Sequence, residues 1–404
     1  MAPNENAVVR TERLVPGGVT LARHEDGRVV LVDDALPGET VEVELSDRRG
    51  AEHGTVVRVV EPSPARIEPR CPHARAGCGG CDLAALDHDA QLEAKLDLVR
   101  DALRRTGKWA EPNVVAGPAL DPWAFRTSLR VGVEDGRAAL RQRRSHELVE
   151  LDHCLVAHPL LDELVHEGRF GDAEEVVLRV GAATGERLAL VTPTRDRVTL
   201  PDDVRVVGAD ELAAGKRAWI HEEVAGRRWR ISAASFFQTR PDGAAALIDT
   251  VRDLAGRALN RDSGTLIDAY GGVGLFAGAL LDGRTGWKGL VAEHSPSSTA
   301  DARVNLADLD AKVVTTPVER LRAPRADIVI ADPSREGLGK RAADVLTGTG
   351  AARLILVSCD PAAAGRDVAL VIGFGYRAKV SVVVDLFPHT HHVEVVTSFH
   401  REDS

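Results

Sequence analysis

Short apolar runs separated by polar turns fill the first sixty residues of the chain. The runs are four to six residues long and include positions 29–32, 41–45 and 55–60. This spacing, with turn residues between the runs, is typical of a small antiparallel barrel. The sequence therefore predicts a barrel domain over residues 1–62. Small barrels bind single-stranded nucleic acid in some proteins and only cap a neighbouring domain in others, so both roles stay open.

The middle of the chain predicts a second domain, over residues 63–235. Prolines at positions 62, 64 and 69 mark a linker. Apolar residues at positions 92, 96, 99 and 103 recur at helical spacing and predict a helix near 90–106, which could pack against the following domain. The rest of this segment, from about 123 to 234, is rich in predicted strands and in arginine.

Helices and apolar strands alternate through residues 236–404. The strands are predicted at residues 265–268, 289–293, 327–332, 354–358 and 380–385. Such alternation is typical of a doubly wound, mostly parallel sheet. The predicted fold class is therefore α/β, with a C-terminal Rossmann-like domain preceded by the barrel and a small β-rich central domain.

Composition and charge limit the classes of function. The chain has 404 residues, of which 44 % are hydrophobic, and no apolar run is long enough to cross a membrane. Its first six residues lack the blocks of a secretion signal, so a soluble cytoplasmic protein is expected. The net charge of −10 does not by itself favour nucleic-acid binding, but local fields can still attract a polyanion. Arginine clusters at 126–144 and 227–230 either contact phosphate or only reflect a general preference for arginine over lysine.

Four upstream cysteines form a candidate metal site. Cys71, Cys78 and Cys81 are separated by six and two residues, and the glycines between them let the backbone turn tightly. Cys154 would complete a set of four thiolates, which suits tetrahedral zinc or an iron–sulfur cluster. Three clustered cysteines with one remote partner favour a [4Fe–4S] cluster over zinc. The odd total of five cysteines argues against a disulfide framework.

A strand, a glycine turn and the start of a helix are predicted over residues 266–276. Tyr270 precedes Gly272 and Gly274, and glycine lets a cofactor approach the backbone at such a turn. Glu293 ends the next predicted strand, where a carboxylate can accept hydrogen bonds from ribose hydroxyls. Nicotinamide, flavin and S-adenosylmethionine sites share this pattern. The missing third glycine of the dinucleotide fingerprint favours S-adenosylmethionine, because that cofactor carries no pyrophosphate.

Residues with catalytic chemistry accompany three apolar segments of the C-terminal domain. Asp332 and Arg335 follow one segment, Cys359 ends the next, and Glu394 lies in the last. Open α/β sheets bind ligands at the carboxyl ends of their strands, so these side chains are expected at one rim. A single cysteine is more often a buried structural thiol, but convergence with three charged groups favours a catalytic site. His391 and His392 are interpreted as exposed imidazoles.

In combination, these motifs resemble the TRAM-domain RNA (uracil-5-)-methyltransferases, whose N-terminal barrel is of the oligonucleotide-binding type. The resemblance spans nearly the whole chain: the barrel, the four upstream cysteines, the glycine turn and the segments at 236–238, 332–335, 358–361 and 387–394. It implies S-adenosylmethionine-dependent methylation of uridine C5 in structured RNA. The iron–sulfur members of the family imply a [4Fe–4S] cluster and favour 23S rRNA over tRNA as substrate. A monomer is expected.

The resemblance also implies a role for each site residue. Cys359 would add to uracil C6, and Glu394 would remove the C5 proton after methyl transfer, because uracil C5 is too weak a nucleophile to react directly. Asp332 would lie near the uracil imide and the cofactor. The expected cofactor contacts are Gln238, Tyr270, Gly272, Gly274, Glu293 and Asp332. The expected RNA contacts are Phe236, which would stack on an extruded base, Arg126 and Arg335. We further expect the site to favour the Cys359 thiolate, helped by Arg335 or by a helix N-terminus after Pro361.

Some positions depart from the family pattern. Gly271, Ser334 and Asp360 stand where cysteine, proline and asparagine are common in the family. Leu275 stands where a polar cofactor contact is often found, and residues 315–318 replace an expected acidic contact to the adenine. The mode of adenine recognition is therefore not predicted. A tRNA T-loop enzyme, an RNA-binding protein without methylation activity and an iron–sulfur oxidoreductase with a nucleotide cofactor are the alternatives. The sequence does not specify which RNA or which uridine is modified.

Overall fold

The computed structural model describes residues 6–48 and 50–401 of the chain. Residues 1–5, 49 and 402–404 lie outside this description, and with them most of the N-terminal segment that was judged not to be a secretion signal. In the described ranges, none of the helices combines the length and the apolar character needed to cross a membrane.

The N-terminal part of the chain folds into a closed five-stranded barrel, which confirms the predicted barrel. Its strands are β1 (Asn6–Val15), β2 (Val19–Arg23), β3 (Val29–Asp33), β4 (Thr40–Arg48) and β5 (Ala51–Glu61). They close in the order β1-β2-β3-β5-β4, and Val9, Val30, Val41 and Val43 fill the interior. The expectation of a wholly antiparallel barrel is wrong, because β3 and β5 pair in parallel. A closed ring of five strands cannot have every neighbour antiparallel.

The central segment contains two sheets and four helices. In chain order its elements are α1 (Pro72–Arg75), α2 (His88–Arg105), β6 (Val114–Ala116), β7 (Ser128–Glu134), β8 (Arg137–Arg141), β9 (Leu148–Glu150), α3 (Pro159–Glu167), β10 (Glu175–Val180), β11 (Arg187–Thr192), β12 (Val204–Gly208), α4 (Ala209–Ala213), β13 (Trp219–Val224) and β14 (Arg227–Ser232). Six strands form a sheet in the order β12-β11-β10-β7-β8-β9, and β13 pairs with β14. Leu161, Leu164 and Phe170 are fully buried against the larger sheet.

The C-terminal part contains an eight-stranded sheet with helices on both faces. Its elements are α5 (Pro241–Ala255), β15 (Gly264–Ala269), α6 (Leu275–Leu281), β16 (Trp287–Glu293), α7 (Pro296–Asn305), β17 (Ala311–Thr315), β18 (Ile328–Ala331), α8 (Gly339–Thr347), β19 (Arg353–Ser358), α9 (Pro361–Gly373), β20 (Tyr376–Val384) and β21 (Glu394–Arg401). The strand order is β17-β16-β15-β18-β19-β21-β20-β6. Leu266 and Ile267 belong to core clusters on opposite faces, because successive residues of a strand point to opposite sides. The mixed α/β fold agrees with the predicted class.

Parts of the central segment join this C-terminal layer. Helix α2 packs on α9, with Val99 and Val368 in one buried cluster, and β6 pairs with β20 as an edge strand of the eight-stranded sheet. The β13–β14 hairpin buries Trp229 completely in the core that covers the other face. The sequence boundaries at residues 62 and 235 divide the chain by composition, whereas packing brings segments from both sides of residue 235 together.

Candidate active site

The predicted catalytic residues meet at one rim of the eight-stranded sheet. Asp332 directly follows β18, and Cys359 directly follows β19, so both lie at the carboxyl ends of parallel strands. Glu394 is the first residue of β21, which runs antiparallel between β19 and β20. Because β21 runs in the opposite direction, its first residue reaches the same rim as the last residues of β18 and β19. The sheet topology therefore assembles three chemical groups from three separate strands.

Cys359 and Glu394 are neighbours across the β19–β21 pair. The register pairs Ser358 with Val395, so the next opposed positions are Cys359 and Glu394. Side chains on directly opposed positions of antiparallel strands lie close together, with Cβ atoms about 4.5–5.5 Å apart. Cys359 is half-buried, whereas Glu394 is only 5 % exposed. This register places a thiol beside a buried carboxyl group.

The electrostatics of the free site favour the neutral thiol. Burial raises the pKa of Cys359 to about 12, with further contributions from the nearby Glu394 and Asp332, while Arg335 acts in the opposite direction. The expectation that the free site stabilises a thiolate is therefore wrong. Two acidic neighbours and a low-dielectric environment outweigh one exposed guanidinium.

The two carboxyl groups at the rim are also shifted towards their protonated forms. Burial raises the pKa of Glu394 well above its ordinary value, and the nearby Asp332 raises it further. Burial, together with Asp268, raises the pKa of Asp332 to about 7. Among the described residues, no group donates a hydrogen bond to the buried Oε2 atom of Glu394. Such surroundings favour the protonated form of a carboxyl group, and carboxyl groups with raised pKa values are frequent at sites of proton transfer.

The predicted glycine turn joins β15 to α6 beside this rim. Gly272 has a φ of +54° and Gly274 has a φ of +91°, values that glycine adopts at little cost. The Gly272 amide donates to Glu293 Oε2 at 3.1 Å, and the Ser295 amide donates to Glu293 Oε1 at 2.6 Å. These bonds fix the Glu293 carboxylate at the carboxyl end of β16. Each of its oxygen atoms retains lone-pair capacity for a further donor.

A cavity lies between the glycine turn and the loop that follows β14. Its lining includes Phe236, Phe237, Gln238, Tyr270, Gly272 and Asp332. Gln238 and Phe237 are buried, whereas Phe236 is 63 % exposed at the mouth. The fold therefore brings together predicted cofactor contacts that lie in three separate segments, with Glu293 bonded to the Gly272 amide and Phe236 within reach of a bound molecule.

One buried carboxylate holds the loop of this cavity, and sequence reasoning did not find it. Asp301 of α7 is fully buried and accepts hydrogen bonds from Arg230 Nε at 2.6 Å, Ser232 Oγ at 2.8 Å and Ser235 Oγ at 2.6 Å. These bonds fix the segment that leads into Phe236. Nothing in the local sequence of α7 distinguishes Asp301 from a surface carboxylate, because its partners come from a distant hairpin.

The four upstream cysteines line a second cavity, in the central segment. Cys71, Cys78, Cys81 and Cys154 all contribute to its wall, as do the apolar side chains of Leu129, Leu140, Leu151 and Val156. Burial raises the pKa of Cys154 to about 11, and burial together with the other three thiols raises the pKa of Cys81. Such mutual repulsion between thiolates is what a bound metal centre would relieve. The residues therefore fit a thiolate-bound metal or cluster.

Arg126 lies in the wall of the same cavity. Its Nε donates to the Ser128 carbonyl at 3.0 Å, and burial lowers the pKa of its guanidinium. Its contact with RNA stays a prediction, but in the structure its neighbours are Cys81 and Cys154. Arg335, by contrast, is exposed near Cys359 and Glu394.

Comparison with known proteins decides the family. No protein-family model matches the chain. An uncharacterized RNA methyltransferase of Streptomyces avermitilis is 34 % identical over 94 % of each chain. Another, from Corynebacterium glutamicum, is 33 % identical over 98 % of this chain and 97 % of its own. The chain belongs to the RNA methyltransferases.

A solved structure shares the fold over nearly the full length of the chain. The tRNA (uracil-54, C5)-methyltransferase of Pyrococcus abyssi, solved with S-adenosyl-L-homocysteine, matches with a TM-score of 0.75 over 98 % of this chain and all of that one. At 22 % identity, this likeness establishes a shared fold. The barrel, the central segment and the C-terminal sheet therefore form an arrangement that occurs in a solved RNA-modifying enzyme.

The two histidines before Glu394 are half-buried in this methyltransferase, so the prediction of exposed imidazoles is wrong. His391 is half-buried, and its Nδ1 atom lies 2.6 Å from Asp82 Oδ2. His392 is half-buried as well, and burial lowers its pKa to about 4, with contributions from His391 and Arg335. A dihistidine beside a polar turn gives no sequence signal for burial, since the covering residues come from the other end of the chain.

Proposed function

We propose that this RNA methyltransferase transfers a methyl group from S-adenosyl-L-methionine to C5 of a uridine in structured RNA. The observation that carries the proposal is the β19–β21 register, which makes Cys359 a direct neighbour of Glu394. A nucleophile and a base on the same rim are what alkylation at an unreactive ring carbon requires. Asp332 and the glycine-turn cavity at that rim supply a place for the methyl donor.

The proposed reaction has three steps. The Cys359 sulfur bonds to uracil C6, and the electron pair of the C5–C6 double bond moves onto C5 and O4. The enolate carbon C5 then attacks the donor methyl group, and S-adenosyl-L-homocysteine leaves. Glu394, as a carboxylate, takes the C5 proton, the C5–C6 double bond re-forms and the Cys359 thiolate is expelled. Cys359 is thereby released as the thiolate, and the proton taken from C5 stays on Glu394 until it passes to solvent.

Protonation of the free site defines what substrate binding must change. Both Cys359 and Glu394 favour their neutral forms in the free protein. Cys359 must release its proton to solvent before it attacks, and Glu394 must also release its proton to solvent before it accepts the one from C5. We propose that Arg335 assists the first event, because its guanidinium favours the thiolate. This arrangement keeps the thiol unreactive until RNA closes the rim.

The cavity beside the glycine turn is the proposed methyl-donor site. Gln238, Tyr270, Gly272 and Asp332 line it, and Gly274 is the N-cap of the helix α6 that follows the turn. Glu293 would accept hydrogen bonds from the ribose hydroxyls, since two backbone amides already orient its carboxylate. Leu275 adds an apolar wall, which suits packing against the adenine ring rather than a polar contact.

The four cysteines are proposed to hold a [4Fe–4S] cluster. All four cysteines line one cavity in the central segment. Four thiolates suit either tetrahedral zinc or an iron–sulfur cluster. Three clustered cysteines with one remote partner favour the cluster over zinc.

RNA recognition is proposed to involve the exposed groups around the rim and the barrel. Phe236 stands exposed at the cavity mouth, where it could stack on a base turned out of its helix or loop. Arg335 is exposed beside the reacting groups and could contact phosphate. The four-cysteine site favours rRNA over tRNA as the substrate, on the resemblance to iron–sulfur members of the family.

Covalent trapping tests this proposal. A 5-fluorouridine transcript cannot lose a proton from C5, so the enzyme should remain attached to it through Cys359. Cys359→Ala should form no adduct, whereas Glu394→Gln should form a methylated adduct even with ordinary uridine. The substrate is found by mapping 5-methyluridine in RNA from a deletion strain. Survival of every 5-methyluridine there, together with no adduct from the wild-type protein, would overturn the proposal.

A further inference from the structure

The segment that leads into Glu394 is held from outside the catalytic sheet. Asp82 Oδ1 accepts a hydrogen bond from the His391 amide at 3.0 Å, and Asp82 Oδ2 lies 2.6 Å from His391 Nδ1. One carboxylate therefore holds both the backbone and the side chain of a residue three positions before Glu394. The Asp82 side chain is only 9 % exposed, so water competes little for these bonds.

Further hydrogen bonds hold the residues just before His391 in the same segment. The Leu83 amide donates to the His389 carbonyl at 2.8 Å, and Gln91 Oε1 accepts from the His389 amide at 2.7 Å. Lys95, which is fully buried, donates to Asp385 Oδ1 at 2.7 Å and to the Phe387 carbonyl at 3.0 Å. The loop between β20 and β21 therefore takes its shape from residues 82–95 of the central segment.

The N-terminal barrel also lies beside Asp82 and His391. Arg143 donates to the Gly18 carbonyl at 2.8 Å and to the Asp82 carbonyl at 3.3 Å, and it pairs with Asp34 of the barrel at 2.7 Å. A Cβ atom on Gly18 would lie 2.5 Å from Asp82 Oδ2 and 2.6 Å from His391 Nδ1. Only a residue without a side chain fits there. Gly18, Asp82, Arg143 and His391 form what we call the junction, where barrel, central segment and catalytic sheet meet.

We propose that Asp82 is a positioning residue for the proton-removal step. By holding His391, it fixes the start of β21 and with it the direction of the Glu394 carboxyl group. The inference rests on the proposed function, in which Glu394 acts only after methyl transfer. Misplacement of a base by about 1 Å can slow its step on the order of a hundredfold, whereas earlier steps that do not use the base continue.

The junction also connects Glu394 to the cysteine cavity. Asp82 directly follows Cys81, which lines that cavity. Trp123 of the same lining contacts His389, with ring centroids 4.1 Å apart and the rings tilted by 32°. A ligand that orders Cys81 therefore orders the residue that holds His391. The proposed cluster would act on proton removal through this loop, without touching the RNA base.

The chain offers a control contact of the same kind for Asp82, with a more exposed carboxylate. Glu186 Oε2 accepts from the His221 amide at 3.1 Å, and Glu186 Oε1 lies 2.9 Å from His221 Nδ1. This is the same two-point contact between a carboxylate and one histidine. It lies within the central segment, where His221 belongs to β13. Glu186→Gln therefore reports the general effect of weakening such a contact.

Single-turnover kinetics separate positioning from a merely structural role. The cluster-loaded full chain is mixed with a transcript around the mapped uridine, made with either 5-fluorouridine or uridine. For Asp82→Asn, adduct formation on the 5-fluorouridine transcript should stay within about twofold of wild type. On the uridine transcript, release of the methylated RNA should slow ten- to a hundredfold, so that a methylated adduct accumulates. Glu186→Gln should leave both rates unchanged.

Two further measurements keep the test decisive. Gly18→Ala adds a Cβ atom next to Asp82 and His391, so it disturbs the same junction from the barrel side. If Asp82→Asn fails to fold, Gly18→Ala should show the same result, with near-normal adduct formation and slowed release of the methylated RNA. Hydrogen exchange in the free protein should be faster at the His391 amide in Asp82→Asn and unchanged in Glu186→Gln. The inference would be overturned if Asp82→Asn slowed adduct formation and RNA release equally, or if it did not slow RNA release. Absence of any adduct with the wild-type chain would instead overturn the proposed function.

Discussion

Cys359 and Glu394 occupy opposed positions of two adjacent strands, one at the end of β19 and the other at the start of β21. This relationship depends on the antiparallel insertion of β21 into a sheet whose other central strands are parallel. If β21 ran parallel to β19, Glu394 would lie at the opposite edge of the sheet. Burial is the main reason why the thiol favours its neutral form, and the adjacent Glu394 adds to this effect because a negative charge there disfavours a thiolate.

Alkylation of Cys359 in the free protein should be slow and strongly dependent on pH. Because the pKa of this thiol is raised to about 12, the thiolate fraction should grow about tenfold per pH unit and show no plateau by about pH 10. Glu394→Gln should lower the pKa by removing a negative neighbour, and Arg335→Gln should raise it. Iodoacetamide rates measured by mass spectrometry on the Cys359 peptide check this. A plateau near pH 8 in the wild-type protein would contradict it.

Asp268 should make folding stability depend on pH. It is fully buried beneath the glycine turn, and burial raises its pKa to about 7, opposed by a hydrogen bond from the Ala277 amide. The folded state therefore binds this proton more tightly than the unfolded chain, so its stabilising contribution is complete below about pH 4 and is lost as pH rises to about 7. The loss in the free energy of unfolding is at most about 4 kcal/mol, because each unit between the unfolded and folded pKa values of Asp268 contributes about 1.4 kcal/mol.

Asp268→Asn should remove that part of the pH dependence. Urea unfolding at pH 5 and pH 8 should show a smaller difference in the free energy of unfolding for the variant than for wild type. Asp249→Asn, an exposed carboxylate on α5, serves as the control and should keep the wild-type difference. An identical difference in Asp268→Asn and wild type would show that Asp268 titrates normally.

Phe236→Ala should weaken RNA binding without unfolding the protein. The ring is 63 % exposed, so its removal leaves no buried void, and base–aromatic stacking contributes about 1–3 kcal/mol per base. We expect KM for RNA to rise roughly 5- to 150-fold, with unchanged affinity for S-adenosyl-L-methionine. Val304→Ala removes another exposed apolar side chain, on α7, and should leave KM unchanged. Equal KM values for the two variants would exclude the stacking role.

After anaerobic reconstitution, the cysteine site should contain four iron and four sulfide ions per chain. Replacing Cys71, Cys78, Cys81 or Cys154 by alanine should reduce the iron content, because all four line the cavity. Cys359→Ala is the control and should retain full iron, since Cys359 lies at the rim of the C-terminal sheet. Iron and sulfide analysis of the anaerobic protein makes the measurement. Stoichiometric zinc with no iron would support a mononuclear site instead.

Removal of the metal centre should loosen the segment before Glu394. Chelation should accelerate hydrogen exchange at residues 389–392, because Asp82 and Leu83 directly follow Cys81 in the chain. Exchange in β10, in the middle of the six-stranded sheet, should be unchanged and provides an internal reference. A uniform increase throughout the central segment would indicate general unfolding rather than a specific link.

The sequence by itself determined the local elements and the chemical groups they carry. Apolar runs marked the buried strands, the residues from Tyr270 to Gly274 marked a turn, and four cysteines marked a group of thiols that line one cavity. These features depend on neighbours within a few residues, which is why β15, α6 and the barrel strands could be predicted. The family resemblance followed from the same local motifs.

Only the tertiary structure decided how these groups act on one another. The opposition of Cys359 and Glu394, the incorporation of β6 into the C-terminal sheet and the 309-residue separation between Asp82 and His391 all depend on long-range pairing. The neutral state of the Cys359 thiol depends on burial and on charges from two other strands. A sequence pattern records which side chains are present. Their pKa values and partners are set by the elements that fold against them.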